Sequence, residues 1–451
     1  MIVIIGAGLA GLSTALHLRG REHVILEREA DAGGLCRSRR IGDFIFDYTG
    51  HLLHLRDPEI VEFVDRMLPA AFAQIERRAA IRSHGVLVPY PFQANTYGLP
   101  PQVVFECVYG LSQAQHGTAA DLGDDPDFHD WALATFGEGI ARHFMLPYNA
   151  KMWLRDLHDV TADWVSWAVP RPTLQEVLRG ALGLTNRGLG YNASFRYPRD
   201  GGIGILPAAL AEGADMLEPI RFESDVIAVD AARRTVKTSR GENITYDALV
   251  TTAPLPALVA RTSGLPDEAY RLAQPLDWVD VYCLNLGIAR PHATDQHWIY
   301  FPEAEFPFYR VGAPSEFSTA VAPEGATSLY VETAVRRDAQ PDEAALAGRM
   351  KEGLARAGIL RDRDEIVAEE MIRLSPAYVL FDRLRQAAMP SLLGMLREQG
   401  IHPIGRFGAW TYSYMEAAMK DGARTARMLL GEPEGQAPVL PPVQGAGRGK
   451  G

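Results

Sequence analysis

The chain opens on Ile2, Val3, Ile4 and Ile5, four apolar residues with no polar alternate, the pattern of a short strand buried on both faces. Leu9, Leu12 and Leu16 follow at helical spacing, and His23 to Leu26 form a second apolar run closed by Glu27. The pattern predicts a β-α-β unit. Residues 224–254 read as a β-hairpin followed by a strand, and 402–430 as a last strand, a Gly-rich turn and a helix starting near Met415. Between these pieces, apolar residues at i, i+3 and i+4 predict helices over 58–68, 101–115, 127–146 and 161–183. The next interval is mixed, with strands expected over 279–288, 328–335 and 366–374 and helices over 342–357 and 384–399. No internal repeat is visible, and the Pro- and Gly-rich stretch from Glu432 has little to bury and is expected to be disordered.

These elements place the chain in the α/β class. The expected fold is a discontinuous Rossmann-type dinucleotide domain with a helical insertion and a mixed antiparallel-sheet substrate domain. The expected boundaries are 1–55, 196–260 and 401–431 for the dinucleotide domain, 56–195 and 261–400 for the insertions, and 432–451 for the tail. The apolar start lacks the basic region and cleavage site of a targeting peptide, so it is read as folded structure.

Composition narrows the partners. With 47% apolar and 22% charged residues the 451-residue chain is globular, and a net charge of −11 argues against nucleic acid or an anionic membrane. No apolar run reaches the ~18 residues needed to span a bilayer. The three cysteines (Cys36, Cys107, Cys283) show no CxxC spacing, which favours a reducing, cytoplasmic setting without structural metal.

With 42 glycines in the chain, the triplet Gly6, Gly8 and Gly11 is weak by itself. Its context carries the weight. The glycines lie between a strand and a helix whose free N–H groups and positive end suit a pyrophosphate, and Glu27 is placed to accept both ribose hydroxyls. The following DAGGLCRSRR, with Gly33, Gly34, Arg37 and Arg39, is similar to the extended motif of FAD oxidoreductases resembling amine oxidases, and so implies FAD rather than NAD. In that class the hairpin puts Val226 near the adenine, and the last Gly-rich turn, with Gly405, Arg406 and Met415, lies over the flavin.

FDYTGHLLH, VPYPFQAN, FMLPYNAKMW, GYNASFRYPRDGG, HWIYFPEAEFPFYR and GRFGAWTYSYMEAAM occur in an order that resembles flavoprotein UDP-galactopyranose mutases, the eukaryotic branch more than the bacterial one. The resemblance covers nearly the whole chain outside the tail. It implies an isomerase of cell-wall or glycan biosynthesis in which N5 of reduced FAD is the nucleophile on the anomeric carbon of a UDP-sugar, with an external reductant such as NAD(P)H. Among matching positions, Arg310 corresponds to a pyrophosphate-binding arginine, and Tyr300, Tyr378 and Tyr412 to tyrosines that donate to phosphate. Tyr90 and Gln93 match the uracil segment, and Asn149, Trp153 and Asn192 neighbouring nucleotide contacts. His51 and Arg82 match groups beside the flavin; His54 receives no role. A second pyrophosphate arginine of the eukaryotic pattern falls at Ala168, with Arg171 the nearest replacement. Segments 202–204 and 314–319 are candidates for closing over substrate by composition. The competing reading is a redox flavoenzyme of the amine oxidase or protoporphyrinogen oxidase type, which has no need of an anion clamp; a flavin-binding protein without turnover is a third.

Overall fold

The computed structural model describes residues 1–432 except 19, 117–122, 124, 166–168, 185–192 and 216–218, so all but the first residue of the tail lies outside the described residues. Five parallel strands form one sheet in the order Ile401–Pro403, Ala248–Thr251, Ile2–Ile5, His23–Leu26, Ile220–Arg221. The first strand is central and every residue in it is buried, which is why it reads as an unbroken apolar run. Helix Leu9–His17 crosses back over this sheet and packs along helix Met415–Leu430, joining the two ends of the described chain. A second, four-stranded sheet holds the hairpin Val226–Asp230 and Thr235–Thr238 with Asn243–Thr245 and Thr262–Ser263.

The third sheet has seven strands, in the order Ile366–Val379, Trp278–Ile288, Thr327–Arg336, Arg310–Gly312, Trp298–Tyr300, Ala79–Ser83, Val86–Pro89. All pairs are antiparallel except Trp298–Tyr300 with Ala79–Ser83. Two of its strands come from 56–195, the interval expected to be mainly helical, and Phe72–Glu76 pairs with Ser194–Pro198 in a further ribbon. The strands there are only four or five residues long, with Arg77 and Arg78 between two of them and Arg82 within one, so no clean alternation marks them. One local signal was available: His84 and Gly85, both at positive φ, form a two-residue connection between apolar runs, as hairpins prefer.

The helices Pro58–Met67, Pro101–His116 and Phe128–Ile140 agree with the apolar periodicity, a further helix Leu146–Trp153 runs on beyond the segment expected to end at 146, and the segment expected over 161–183 contains a shorter helix, Leu174–Ala181, started by a Thr173–Glu176 capping box. The two segments expected to close over substrate are packed and hydrogen-bonded in this structure, Ile203 N–H donating to Asp47 Oδ1 (3.0 Å) and Gly204 N–H to Ser38 Oγ (2.8 Å). A Cβ at Gly202 would lie 2.5 Å from Asp47 Oδ1, and Ser315 exchanges backbone-to-hydroxyl bonds with Ser328.

Candidate active site

A cavity of about 620 Å³ runs from the edge of the parallel sheet to the face of the seven-stranded sheet. Its near end is built from backbone. Gly6, Gly8, Glu27, Gly33, Gly34, Arg37 and Val226 line it. Glu27 is buried, and its carboxylate accepts from the N–H groups of Ala7 (2.7 Å) and Glu29 (3.0 Å), which fixes both oxygens at the end of the second strand.

The three glycines separate by what surrounds them. A Cβ at Gly6 would lie 2.2 Å from Thr252 Oγ1, and one at Gly11 only 2.0 Å from the Gly6 carbonyl oxygen, so the fold itself demands both. Gly8 has nothing within 4 Å of such a Cβ, yet it caps the helix and lines the cavity. Only a ligand held against that helix terminus needs Gly8 bare. The cradle therefore fits the pyrophosphate of a dinucleotide cofactor.

The far end is built from side chains brought together by register. Across the seven-stranded sheet, Ile81 lies opposite Tyr300, Tyr300 opposite Arg310, Arg310 opposite Glu332, and Glu332 opposite Cys283. Arg310 donates from Nε to Glu332 Oε2 (2.6 Å) and from Nη2 to Oε1 (2.7 Å), a bidentate pair whose carboxylate is fully buried. Burial opposes the charge on Arg310, and Glu332 outweighs it, holding the guanidinium protonated well above its ordinary range. The planar fork expected to grip a pyrophosphate is thus occupied within the protein. Nη1 is the edge left without a hydrogen bond among the described residues.

Aromatic rings wall this end. Tyr90 and Tyr300 lie 5.4 Å apart, Tyr148 meets Tyr300 edge-on at 5.5 Å, and Tyr378 stacks on Tyr412 at 6.1 Å. Arg406 sits over both stacked rings, 5.2 Å from Tyr378 and 4.9 Å from Tyr412. It donates to the carbonyls of Ala377 and Ser413, so among the described residues its charge has no carboxylate partner. Gln93 is buried; its amide donates to the Pro170 carbonyl (2.7 Å), which leaves Oε1 buried with no donor among the described residues. The Tyr309 hydroxyl is likewise buried without a partner. Such orphaned groups at a cavity are what a polar ligand satisfies.

His51 lies between the two ends. Thr49 Oγ1 is 3.3 Å from its Nδ1, and burial lowers its pKa to about 4, so the ring is neutral at physiological pH.

Several expected residues stand elsewhere. Arg82 lies against the Phe306 ring and does not line the cavity; Arg77, over Tyr90 at 4.4 Å, is the nearer cation. Arg39 pairs with Glu370 on the surface. Trp153 is fully buried behind the wall, 6.1 Å from Tyr378, where it supports the ring rather than facing a ligand. Arg171 is exposed over Trp131 and does not make good the charge absent at position 168, although Val169 and Pro170 line the cavity. Ala168 and Asn192 lie outside the described residues. Asn149, Tyr300, Tyr378, Tyr412, Gly405, Arg406 and Met415 all line the cavity. Sequence reasoning missed Glu332, Tyr148 and Tyr309. The clearest signal was a lone acid in TSLYVETAV, on the same strand face as Ser328 and Tyr330.

A parallel sheet with a bare glycine cradle, opening onto a substrate sheet across one cavity, defines a dinucleotide-cofactor enzyme. The family model for flavin containing amine oxidoreductases matches residues 9–430, and the chain belongs to that family. Its cofactor is FAD. Among solved structures, a reduced UDP-galactopyranose mutase is 28% identical, with a TM-score of 0.90 over 98% of this chain and 96% of that one. Putrescine oxidase bound to putrescine (16% identical, TM-score 0.64, 96% and 99% covered) and cyclohexylamine oxidase from Brevibacterium oxydans (14%, 0.65, 95% and 99%) share the fold. Among the described residues no helix is long and apolar enough to cross a membrane.

Proposed function

We propose that the protein is a nucleotide-sugar pyranose–furanose mutase that interconverts UDP-galactopyranose, or a related UDP-sugar, and its furanose form. The observation that carries this reading is the far wall of the cavity: Tyr300, Tyr378, Tyr412, Arg310 and Arg406 converge there, polar and cationic groups that an apolar amine does not require. The similarity to a reduced UDP-galactopyranose mutase supports it. Bound in its reduced form, FAD supplies the nucleophile for the anomeric carbon.

The side chains do the rest. Arg406 and the free Nη1 edge of Arg310 offer charge to a diphosphate, and the tyrosine hydroxyls donate to its oxygens. The unpartnered Gln93 Oε1, beside Tyr90, suits the N–H of a pyrimidine. His51, neutral, donates or accepts without adding charge at the reacting carbon. In this reading the reductant, NAD(P)H, comes from outside and the substrate is cytoplasmic.

The decisive experiment reduces the protein with dithionite under anaerobic conditions and incubates it with UDP-galactofuranose. Conversion to the pyranose is expected. No conversion, together with oxygen-dependent turnover of an amine or porphyrinogen, would establish the redox reading that the family also supports.

A further inference from the structure

Away from the cavity, two imidazoles and two carboxylates meet where helix Phe128–Ile140 begins. Asp127, His129, Asp130 and His158 each present a donor atom, and all four atoms lie within 4.8 Å of one another. His158 Nδ1 is 3.2 Å from Asp127 Oδ2, and His129 Nδ1 is 3.0 Å from Asp130 Oδ1. The two rings are 4.1 Å apart at 39°. Helix capping explains only part of this: Asp127 Oδ1 accepts from the Asp130 N–H at 2.8 Å, which leaves the other carboxylate oxygen and both histidines unaccounted for.

The two segments are held in place independently of the cluster. Phe128 N–H donates to the Val160 carbonyl (2.7 Å), His129 N–H to Leu157 (3.3 Å) and Ala162 N–H to Pro126 (3.2 Å). His158 is therefore fixed opposite the helix start by backbone bonds that bring the four donors together without help from their own contacts. Zinc bonds of about 2.0–2.2 Å in a tetrahedron set neighbouring donors about 3.3 Å apart, close to the two nitrogen–oxygen separations here. Each such separation is now bridged by a hydrogen bond that an ion would replace.

We propose that this cluster is a binding site for one divalent transition ion, zinc the best fit, held by His129, His158, Asp127 and Asp130. Two imidazoles with two carboxylates suit zinc, nickel or copper, whereas magnesium and calcium prefer an all-oxygen shell. The ion would tie the loop 154–160 to the helix start, a role in stability that is independent of the nucleotide-sugar reading. None of the four residues lines the cavity.

The test uses the full chain without an affinity tag, stripped with a chelator and titrated calorimetrically with Zn²⁺, and separately with Co²⁺ while its visible spectrum is followed. One Zn²⁺ per chain is expected, with intense tetrahedral Co²⁺ bands, a rise in Tm on adding Zn²⁺, and no response to Mg²⁺. The double variant His129→Gln/His158→Gln, at partly exposed positions, should keep its flavin spectrum and bind Zn²⁺ at least 100-fold more weakly. Equal Zn²⁺ affinity in protein and variant, or equal response to Mg²⁺, overturns the proposal.

Discussion

The two ends of the cavity reach the same goal, polar groups aimed at a ligand, by opposite means. At the cofactor end the groups are mostly backbone N–H, exposed because glycine leaves room, and fixed by contacts within the first 30 residues and Thr252. At the substrate end they are side chains from strands more than 200 residues apart in sequence, aligned by register. The first end is robust in its chemistry and sensitive to any added atom; the second tolerates volume but depends on charge balance. The difference lies in what each end cannot lose.

The largest effect should come from the charge balance. Removing Glu332 leaves the Arg310 cation in a low-dielectric site, a situation that costs about 3–5 kcal/mol, because the carboxylate is 1% exposed and the guanidinium 21%. Glu332→Ala should lower unfolding stability by about that amount in urea titration, with the absorbance of any retained flavin unaltered. A loss under ~1 kcal/mol would mean that the pair is not the keystone of this end.

At the cofactor end Gly11 and Gly8 should come apart. Gly11→Ala drives a Cβ into the Gly6 carbonyl, and overpacking of this kind costs about 1–3 kcal/mol or more. A Cβ at Gly8 meets open space, so in Gly8→Val the Tm of the flavin-free protein should hardly move while flavin retention on gel filtration falls at least tenfold. Flavin retained by Gly8→Val would remove the cradle as the pyrophosphate site.

The contrast also explains what could be read from sequence. The strand, glycine turn, helix and Glu27 are written within 27 consecutive residues, so their geometry is local and legible. Glu332 becomes significant only once its strand is known to lie opposite Arg310, and Arg82 and Trp153 went astray for the same reason. Trp153 sits in one of the six motifs and Arg82 on the strand just ahead of another, yet alternation along the strand points Arg82 to the Phe306 side, and helix packing turns Trp153 behind Tyr378. The six motifs located the far wall, while only register could say which of their residues face inward.

His51, between the ends, tests burial against charge through pH. Its pKa falls from 6.5 to about 4 through burial, so between these values the unfolded chain binds more protons than the folded one, and stability rises with pH across that window. The same holds for His54 and His297, each also lowered to about 4 by burial. Unfolding free energy should therefore drop as pH falls from 6.5 toward 4, and His51→Gln should flatten part of that slope. An unchanged slope would mean that folding does not desolvate the His51 ring enough to shift its titration.

The smallest effect belongs to a single hydroxyl. Tyr378 stacks on Tyr412 and against Trp153, so the ring is held by packing whether or not its hydroxyl is present. Burial raises its pKa to about 12, which keeps the hydroxyl protonated and able to donate at any working pH. Tyr378→Phe removes that donor and leaves the wall standing, and a neutral hydrogen bond is worth about 0.5–1.5 kcal/mol. UDP binding by calorimetry should weaken about threefold to tenfold, with Tm and flavin content unchanged. Arg310→Lys is the matched control, because it keeps the charge against Glu332 but loses the planar Nη1 donor. If Tyr378→Phe binds UDP as tightly as the parent while Arg310→Lys does not, the far wall recognises its ligand by charge rather than by the tyrosine hydroxyls.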